Sequence, residues 1–471
     1  MPWRESAQPV VMLRVALVAP RESLRDALVE VADAGVLEIE ALARPGDAPA
    51  GEATRRLERS GGHPARPAVL RTAPDLDELE RTGRVDLLAG EAQLEQRCAE
   101  AVIRGRVAAL VGWVPEQALA PLARRLVPLG AALVPLPRPR GAEPPTLLRH
   151  SGMGGACSPL VETYATVPYD DVDPTVFAGL AYVVMFAMMF GDTGHGLLLV
   201  VVGLVLRTGR PRWFTGAVRA WPFVVGAGAA SSLVGLAYGE FFGPTGLSPW
   251  QAIDPLEEPV RLMLIGVSLG AVLLAVSYGI GTVNRIREGG WAYALYAPSG
   301  LAGMTLFLGG GLVTAGSYLG VAGLLVAGSV VAASGIGLSF VGLRSASGPG
   351  AAGLVQASVE LFDVVVRLAS NVVSFARLAA FGITHAALAG LVWQGASGLW
   401  SQGGAGLPAA VAVFAVGNAL AFALEALVAG VQALRLEYYE LFSRVFLGEG
   451  RPFSPWHVPA LELEMTEEVA T

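Results

Sequence analysis

The sequence contains no lysine, so all 33 of its basic residues are arginine. Its only two cysteines, Cys98 and Cys157, exclude a disulfide-rich secreted scaffold and any metal or iron–sulfur site built from cysteine. The five histidines are too widely scattered along the chain to predict a metal cluster. The formal net charge of −7 gives no general attraction to nucleic acid. We therefore expect no cofactor, no metal and no nucleic-acid partner.

Charge is scarce as well, because only 15% of the residues are charged while 53% are hydrophobic, and the mean hydropathy is +0.53. The charged residues are also unevenly placed: residues 1–170 hold 20 of the 33 arginines and 22 of the 40 carboxylates. Long apolar runs rich in glycine and alanine follow, and such residues allow membrane helices to pack closely. We predict a water-soluble domain over residues 1–170 and a membrane domain over residues 171–471.

Eight apolar runs predict a polytopic, mainly α-helical membrane protein, and the first two are short enough to form one hairpin. The runs cover residues 174–190, 193–206, 220–239, 262–284, 291–313, 316–341, 357–395 and 407–443. Arginines concentrate in the loops after the second, fourth and sixth runs, which lie on one side. Because cytoplasmic loops are enriched in basic residues, both termini are predicted to be cytoplasmic.

The soluble domain reads as a small α/β domain made of two similar βαβ-like pieces. The first comprises a strand at 10–18, a helix at 21–34 and a strand at 36–41; the second comprises 106–113, 115–129 and 131–136. Gly35 and Gly130 stand where each helix should end. A flexible loop is expected at about 44–67 and a helix near 75–104. No phosphate loop, nucleophile elbow or catalytic dyad is visible, so we interpret this domain as a docking domain without a catalytic site.

The last two spans are unusual because polar residues follow one helical face of each. In the seventh span these are Asp363, Arg367, Ser370, Asn371, Ser374, Arg377, Thr384 and His385. In the eighth they are Asn418, Glu425, Gln432 and Arg435, with Glu440 further on. Both spans are nearly twice as long as the roughly 20 residues that a bilayer core needs, so tilting or extension beyond the membrane is expected.

Arg377 is the residue that most requires an explanation, because an arginine near the centre of a span costs at least about 2.5–3.5 kcal/mol on insertion scales. One interpretation is structural: Arg377 and Arg435 form internal ion pairs with Asp363 and Glu425. The other is functional, since ionisable residues inside membranes commonly mark ion pathways.

The neighbouring polar residues leave similar alternatives open. Asp363 and Arg367 are one turn apart and could simply pair. His385 is either a satisfied buried histidine or part of a proton relay. For Glu437 and Glu440 we favour solvation of the cytoplasmic end of the eighth span.

Several segments resemble the membrane stator subunit, called a or I, of rotary V-type and A-type ATPases. The segment from Ser374 to His385 is similar to that family's S-Y-x-R-L-x-A-L-x-x-A-H stretch, which places Arg377 at its essential arginine. Glu425 and Arg435 match the glutamate and second arginine of its last span, and Asp363 matches the carboxylate fourteen residues before the essential arginine. Further similar segments are 112–115, 144–147, 189–196, 238–242, 446–450 and 452–453.

The resemblance implies a subunit without catalysis of its own that forms ion half-channels against a rotating ring of proteolipid subunits. The residues implied in ion translocation are Arg377, Arg435, Glu425, Asp363 and His385, with a supporting polar stripe of Arg367, Asn371, Ser374, Gln432 and Asn418. Contacts with peripheral and central stalk subunits are implied for the soluble domain, and the location is the prokaryotic cell membrane. The carried ion is H⁺ or Na⁺, and the working direction is synthesis or hydrolysis of ATP.

The soluble domain departs from the family, whose members usually carry a much longer cytoplasmic arm with a long coiled coil. Two other functions therefore remain open. A stand-alone ion-coupled secondary transporter would typically show inverted repeats with broken helices, and none is visible in the sequence. A vestigial membrane anchor or assembly subunit would tolerate substitution in both polar stripes.

Overall fold

The computed structural model describes residues 9–40, 51–61, 66–139, 141–148, 153–209, 218–248, 250–404, 406–446 and 448–462. The chain forms two compact units. An α/β unit consists of Pro9–Leu148 with the chain from Gly450 onward, and a membrane unit lies within Arg149–Glu449. The division therefore falls at 148/149 rather than near 171, because α6 (Met153–Glu162) packs on the first apolar helix of the membrane unit.

The α/β unit is built on a twisted sheet of β1 (Met12–Pro20), β2 (Glu38–Ile39), β4 (Val102–Arg104), β5 (Val107–Pro115) and β6 (Ala132–Pro135). The order is β2-β5-β1-β6, all neighbours are antiparallel, and β4 pairs with β5. Each predicted βαβ piece exists, but the strands of the two pieces interleave. Nine residue pairs join β1 to β5, from Met12 opposite Pro115 to Pro20 opposite Val107.

The helices of this unit cover the sheet and bury its apolar residues. They are α1 (Leu24–Ala34), α2 (Glu52–Ser60), α3 (Leu76–Arg81), α4 (Val85–Ala99) and α5 (Glu116–Leu126). As predicted, Gly35 and Gly130 end their helices in left-handed conformation, with φ of 58° and 71°. Two expectations need correction. Helix α2 lies inside the predicted loop at 44–67, and the single helix expected near 75–104 is two helices followed by β4.

Residues after Gly450 complete the core of the α/β unit. Trp456 and Val458 are buried among the apolar residues of β1 and α1. The backbone N–H of Trp456 donates to the Leu37 carbonyl, and that of Val458 donates to the Ala32 carbonyl. Strand β7 (Ala460–Leu461) then pairs in parallel with β3 (Val69–Leu70). Residues 450–462 are thus part of the same small fold as residues 9–148, although the membrane unit lies between them in the sequence.

The membrane unit contains α7 (Thr175–Met189), α8 (Thr193–Arg207), α9 (Trp221–Tyr238), α10 (Pro259–Tyr296), α11 (Leu301–Leu319), α12 (Ala322–Ala346), α13 (Gly350–Ser374), α14 (Ala376–Trp400) and α15 (Gly406–Leu436). A π-helical turn, Glu437–Phe442, and the short α16 (Ser443–Val445) follow α15. Within the described residues, six helical stretches are long and apolar enough to span a membrane, while α7 and α8 have 15 residues each. The polytopic helical fold is confirmed.

Glycine governs how these helices pack. In α11 and α12, a Cβ added at Gly309, Gly316, Gly328 or Gly335 would stand 2.3–2.6 Å from a backbone nitrogen of the other helix. Side chains at these positions would force the helices apart, so the glycines allow the close contact typical of membrane helices. Glycines also allow close contact between α8 and α9, which pack along each other. Helix α8 therefore does not form the expected hairpin with α7.

Candidate functional site

The seventh predicted span is two helices, α13 and α14, separated by a turn at Phe375. Phe375 is fully buried, and its ring lies against Gly270 of α10. A Cβ added at Gly270 would stand 2.0 Å from Cγ of Phe375, so only glycine leaves room for this ring. Arg377 is the second residue of α14, and its position therefore depends on how the turn packs against α10.

Five titratable side chains meet in what we call the histidine cluster: Asp192, His195, Glu240, His385 and Glu425. Nδ1 of His385 contacts the Glu425 carboxylate directly. Nε2 of His385 lies 3.5 Å from a Glu240 carboxylate oxygen and 4.0 Å from one of Asp192. Nδ1 of His195 lies 3.9 Å from the other oxygen of Asp192. The ring of Phe190 packs on both imidazoles, and those of Phe242 and Phe422 pack on His195.

Asp192 holds the framework of the histidine cluster. One carboxylate oxygen caps the N-terminus of α8 by accepting the His195 backbone N–H at 2.8 Å, and it also accepts the Phe242 N–H at 3.1 Å. The other accepts the Gly243 N–H at 2.9 Å. These bonds secure the loop after α9, where Phe242 adopts a left-handed φ of 51°. Such a conformation is unfavourable for a large side chain, so the Asp192 bonds help to maintain it.

A cavity of about 130 Å³ lies beside His385 and Glu425, between α14 and α15. Phe381, Leu388, Leu424 and Val428 supply much of its apolar lining. It is large enough for several water molecules. It therefore provides room for solvent next to the His385–Glu425 pair.

A second group, the arginine cluster, consists of Ser374, Arg377, Arg435 and Glu440. Glu440 is buried, lies beside Ser374, and interacts electrostatically with both arginines. Nη1 of Arg377 is buried and forms no hydrogen bond with any described residue. The described residues include no salt bridge from Arg377 or Arg435 to Asp363 or Glu425, so the predicted structural ion pairs are absent there.

The expectation that Glu437 and Glu440 solvate the end of the eighth span is wrong. Glu437 is 0% exposed and Glu440 is 6% exposed. Both belong to the π-helical turn, in which one extra residue per turn changes the faces on which side chains lie. A periodicity of 3.6 residues put Glu440 on the polar stripe but did not predict that Glu437 is buried.

The other predicted residues occupy different surroundings. Asp363 and Arg367 pair at 2.7 Å, and their side chains are 51% and 69% exposed, as the local pairing interpretation predicts. Once its amide is oriented to suit its neighbours, Asn371 accepts a hydrogen bond from the Arg444 guanidinium at 2.8 Å. Asn418 donates to the Phe414 carbonyl and lies beside His195. The buried Oε1 of Gln432 has no hydrogen-bond partner among the described residues.

The sequence interpretation missed Asp192, His195 and Glu240 as site residues. It also treated the histidines as scattered, whereas His195 and His385 lie together in the structure. Asp192, His195 and His385 each present a ligand atom, and these atoms all lie within 4.8 Å of one another. The available signal was the run of ionisable residues among glycines at 189–196 and 238–242, because charged residues inside apolar segments are costly unless they have a role.

Comparisons with known proteins agree with this architecture. A sequence model of the V-type ATPase 116kDa subunit family matches residues 104–218. The A-type ATP synthase subunit I of Aeropyrum pernix is 29% identical over 65% of this chain and 50% of its own length. The subunit I proteins of Pyrococcus horikoshii and Thermococcus kodakarensis are 26% and 28% identical over 75% and 76% of this chain and 55% and 56% of their own lengths.

This chain thus spans about half the length of the curated relatives it matches. The matches to these three relatives cover 65–76% of the chain. On these grounds the chain is similar to the V-type ATPase 116kDa subunit family and to A-type ATP synthase subunits I.

Proposed function

We propose that this chain is the stator subunit of a rotary ATPase membrane sector and couples the flow of H⁺ or Na⁺ to ATP synthesis or hydrolysis. The observation that carries the proposal is the separation of two acidic groups by Arg377, an arginine without a salt bridge to any described residue. One acidic group is Glu425 with His385, and the other is Glu440. His385 lies eight residues from Arg377 on α14, which corresponds to about 12 Å along the helix. Glu425 and Arg435 are about 15 Å apart along α15 by the same measure.

In this mechanism a carboxylate on each subunit of a proteolipid ring carries the ion. When that carboxylate approaches Arg377, the permanent positive charge stabilises its ionised form and causes it to release the ion. Arg377 is suited to this role because it is only half-buried and no described carboxylate forms a salt bridge with it. Arg377 and Arg435 together would also repel any cation that moved directly between the two acidic groups.

The two groups would serve separate aqueous paths. His385 and Glu425, with the cavity beside them, would form the outer path, joined by Asp192 and Glu240. Glu440 would belong to the inner path, and the exposed Asp363 would lie near its mouth. Each charge that crosses contributes about 2.3 kcal/mol per 100 mV of membrane potential, so several ions per turn supply the energy scale of ATP chemistry.

The same proposal assigns the partners and the location. The membrane unit would face the proteolipid ring, and the α/β unit would contact peripheral and central stalk subunits. The protein would lie in the prokaryotic cell membrane with both termini in the cytoplasm, as the arginine-rich loops suggest. A stator also predicts that proteolipid subunits purify together with this chain, whereas a stand-alone transporter would purify without them.

The direct test is Arg377→Ala in the assembled complex, with ATP-driven ion uptake measured in inverted membrane vesicles. We expect uptake to fall below detection, because the ring carboxylate would no longer meet a fixed cation. Arg261→Ala is the control: it removes an exposed arginine that pairs locally with Glu258 and lies outside both polar stripes. Uptake by Arg377→Ala at the rate of the control, in complexes that retain the ring, would refute the proposal.

A further inference from the structure

The histidine cluster contains an unusual number of buried polar atoms without hydrogen bonds. Both ring nitrogens of His195, Nε2 of His385 and Oε2 of Glu240 have no partner among the described residues. His195 is 0% exposed and His385 is 2% exposed. Each such atom loses its hydrogen bonds to water without replacement, at a cost of about 1–3 kcal/mol. One such atom from each of several side chains lies in the same small region, which indicates that something else binds there.

The atoms are arranged as a metal site requires. Ligand atoms from Asp192, His195 and His385 lie within 4.8 Å of one another, and Glu240 adds an oxygen 3.5 Å from Nε2 of His385. Around a tetrahedral zinc ion with bonds of about 2.0–2.1 Å, ligand atoms stand about 3.3 Å apart. Side-chain rotations that move the ligand atoms by about one ångström would therefore bring two nitrogens and two oxygens to a common centre.

The residues behind these ligands also fit a metal site. A histidine that binds a metal usually has its other ring nitrogen held by a carboxylate, which fixes the tautomer and directs the ligating nitrogen. Glu425 holds Nδ1 of His385 in this way and leaves Nε2 directed toward Asp192 and Glu240. Asp192 is itself fixed by three backbone N–H groups.

Charge favours a cation at the same point. The cluster contains three carboxylates, of Asp192, Glu240 and Glu425, and the described residues include no salt bridge from an arginine to any of them. Buried carboxylates in such numbers must bind protons or a cation. Two imidazoles with carboxylates suit zinc and similar divalent transition metals better than Ca²⁺ or Mg²⁺, which prefer oxygen ligands alone.

We propose that Asp192, His195, Glu240 and His385 bind a divalent transition-metal ion such as Zn²⁺. The cavity beside His385 and Glu425 offers an approach to the site. Metal binding itself does not depend on the proposed function. If the stator proposal also holds, the ion would occupy His385 in the outer path and inhibit transport.

The test measures binding of Zn²⁺ alone to the full-length chain in detergent, by competition with a chromophoric chelator. The key variant is His195→Gln, because it removes one imidazole ligand from the cluster and replaces it with a polar side chain of similar length. A matched control replaces the other three histidines together, as His63→Gln/His150→Gln/His457→Gln. We expect one tight Zn²⁺ site in the wild type and the control, and binding at least about 10-fold weaker in His195→Gln.

Zinc X-ray absorption gives an independent reading and should show imidazole ligands with nitrogen and oxygen at about 2.0–2.2 Å. The proposal is overturned if the wild type fails to bind Zn²⁺ at micromolar concentration, if His195→Gln binds as the control does, or if imidazole scattering is absent. Ion uptake measured in inverted vesicles distinguishes this proposal from the stator proposal. If Zn²⁺ binds through His195 but leaves ion uptake unchanged, the metal site stands and the cluster is not on the ion path.

Discussion

The contact between Gly270 and Phe375 offers a sharp test of how the fold positions Arg377. In Gly270→Ala the new Cβ would stand 2.0 Å from Cγ and 2.4 Å from Cβ of Phe375. Nonbonded carbons approach to about 3.5 Å, so the ring must move by about 1.5 Å. Overpacking of this kind typically costs about 1–3 kcal/mol of stability.

The displaced ring belongs to the turn that sets the start of α14, and Arg377 follows two residues later. Misplacement of a reacting group by about 1 Å can cost roughly 100-fold in rate. We therefore expect Gly270→Ala to slow ATP-driven ion uptake in inverted vesicles by roughly 10- to 100-fold while the complex still assembles. Thermal unfolding of the purified chain should report the loss of stability in parallel.

Gly279→Ala is the matched control, since it lies on the same helix and its added Cβ would meet no atom within 4 Å. The double variant Gly270→Ala/Phe375→Ala removes the ring that the new methyl group strikes. Its loss of stability should be smaller than the sum of the two single losses, because the two sites are in contact. Equal uptake by Gly270→Ala and Gly279→Ala would refute the view that this packing positions Arg377.

Two further predictions concern buried acids outside the histidine cluster. Glu440→Gln should lower ion uptake at least about 10-fold, because an amide cannot exchange a proton. Glu449→Gln, at an exposed position, is the control and should leave uptake unchanged. Equal rates in the two variants would exclude Glu440 from the inner path. Burial, together with nearby Glu288, raises the pKa of Asp171 to about 7, so the native state holds a proton that the unfolded chain releases near pH 4. Stability should therefore fall as pH rises from about 4 to 7, and melting temperatures across that range should be flatter for Asp171→Asn.

The sequence predicted well what depends on composition and on regular periodicity. The apolar runs placed the long helices, since a span must satisfy its own backbone and present apolar side chains to lipid. The two βαβ-like pieces were identified because Gly35 and Gly130 end helices that precede short strands. The interleaving of their strands depends on pairing across the whole unit, which no local pattern specifies.

The errors have identifiable physical causes. Phe375 has near-helical backbone angles, so the local sequence does not predict a turn there. The turn is possible because Gly270 of α10 leaves room for the Phe375 ring. Glu437 lies in the π-helical turn and is fully buried, which a 3.6-residue period does not predict. Histidines 190 residues apart in the sequence, His195 and His385, meet only because α8 and α14 do.

The surface around Arg435 gives a physical reason to expect a partner within the membrane. Leu420, Leu424, Leu427 and Val431 are each more than half exposed, and their spacing places them in one stripe along α15. Arg435 continues this stripe four residues later and is exposed. Lipid would suit the four apolar side chains but would penalise a guanidinium by about 2.5–3.5 kcal/mol if it lay deep in the bilayer. An apolar helix that carries a carboxylate would suit the whole stripe, and such a helix is what the proposed proteolipid ring presents.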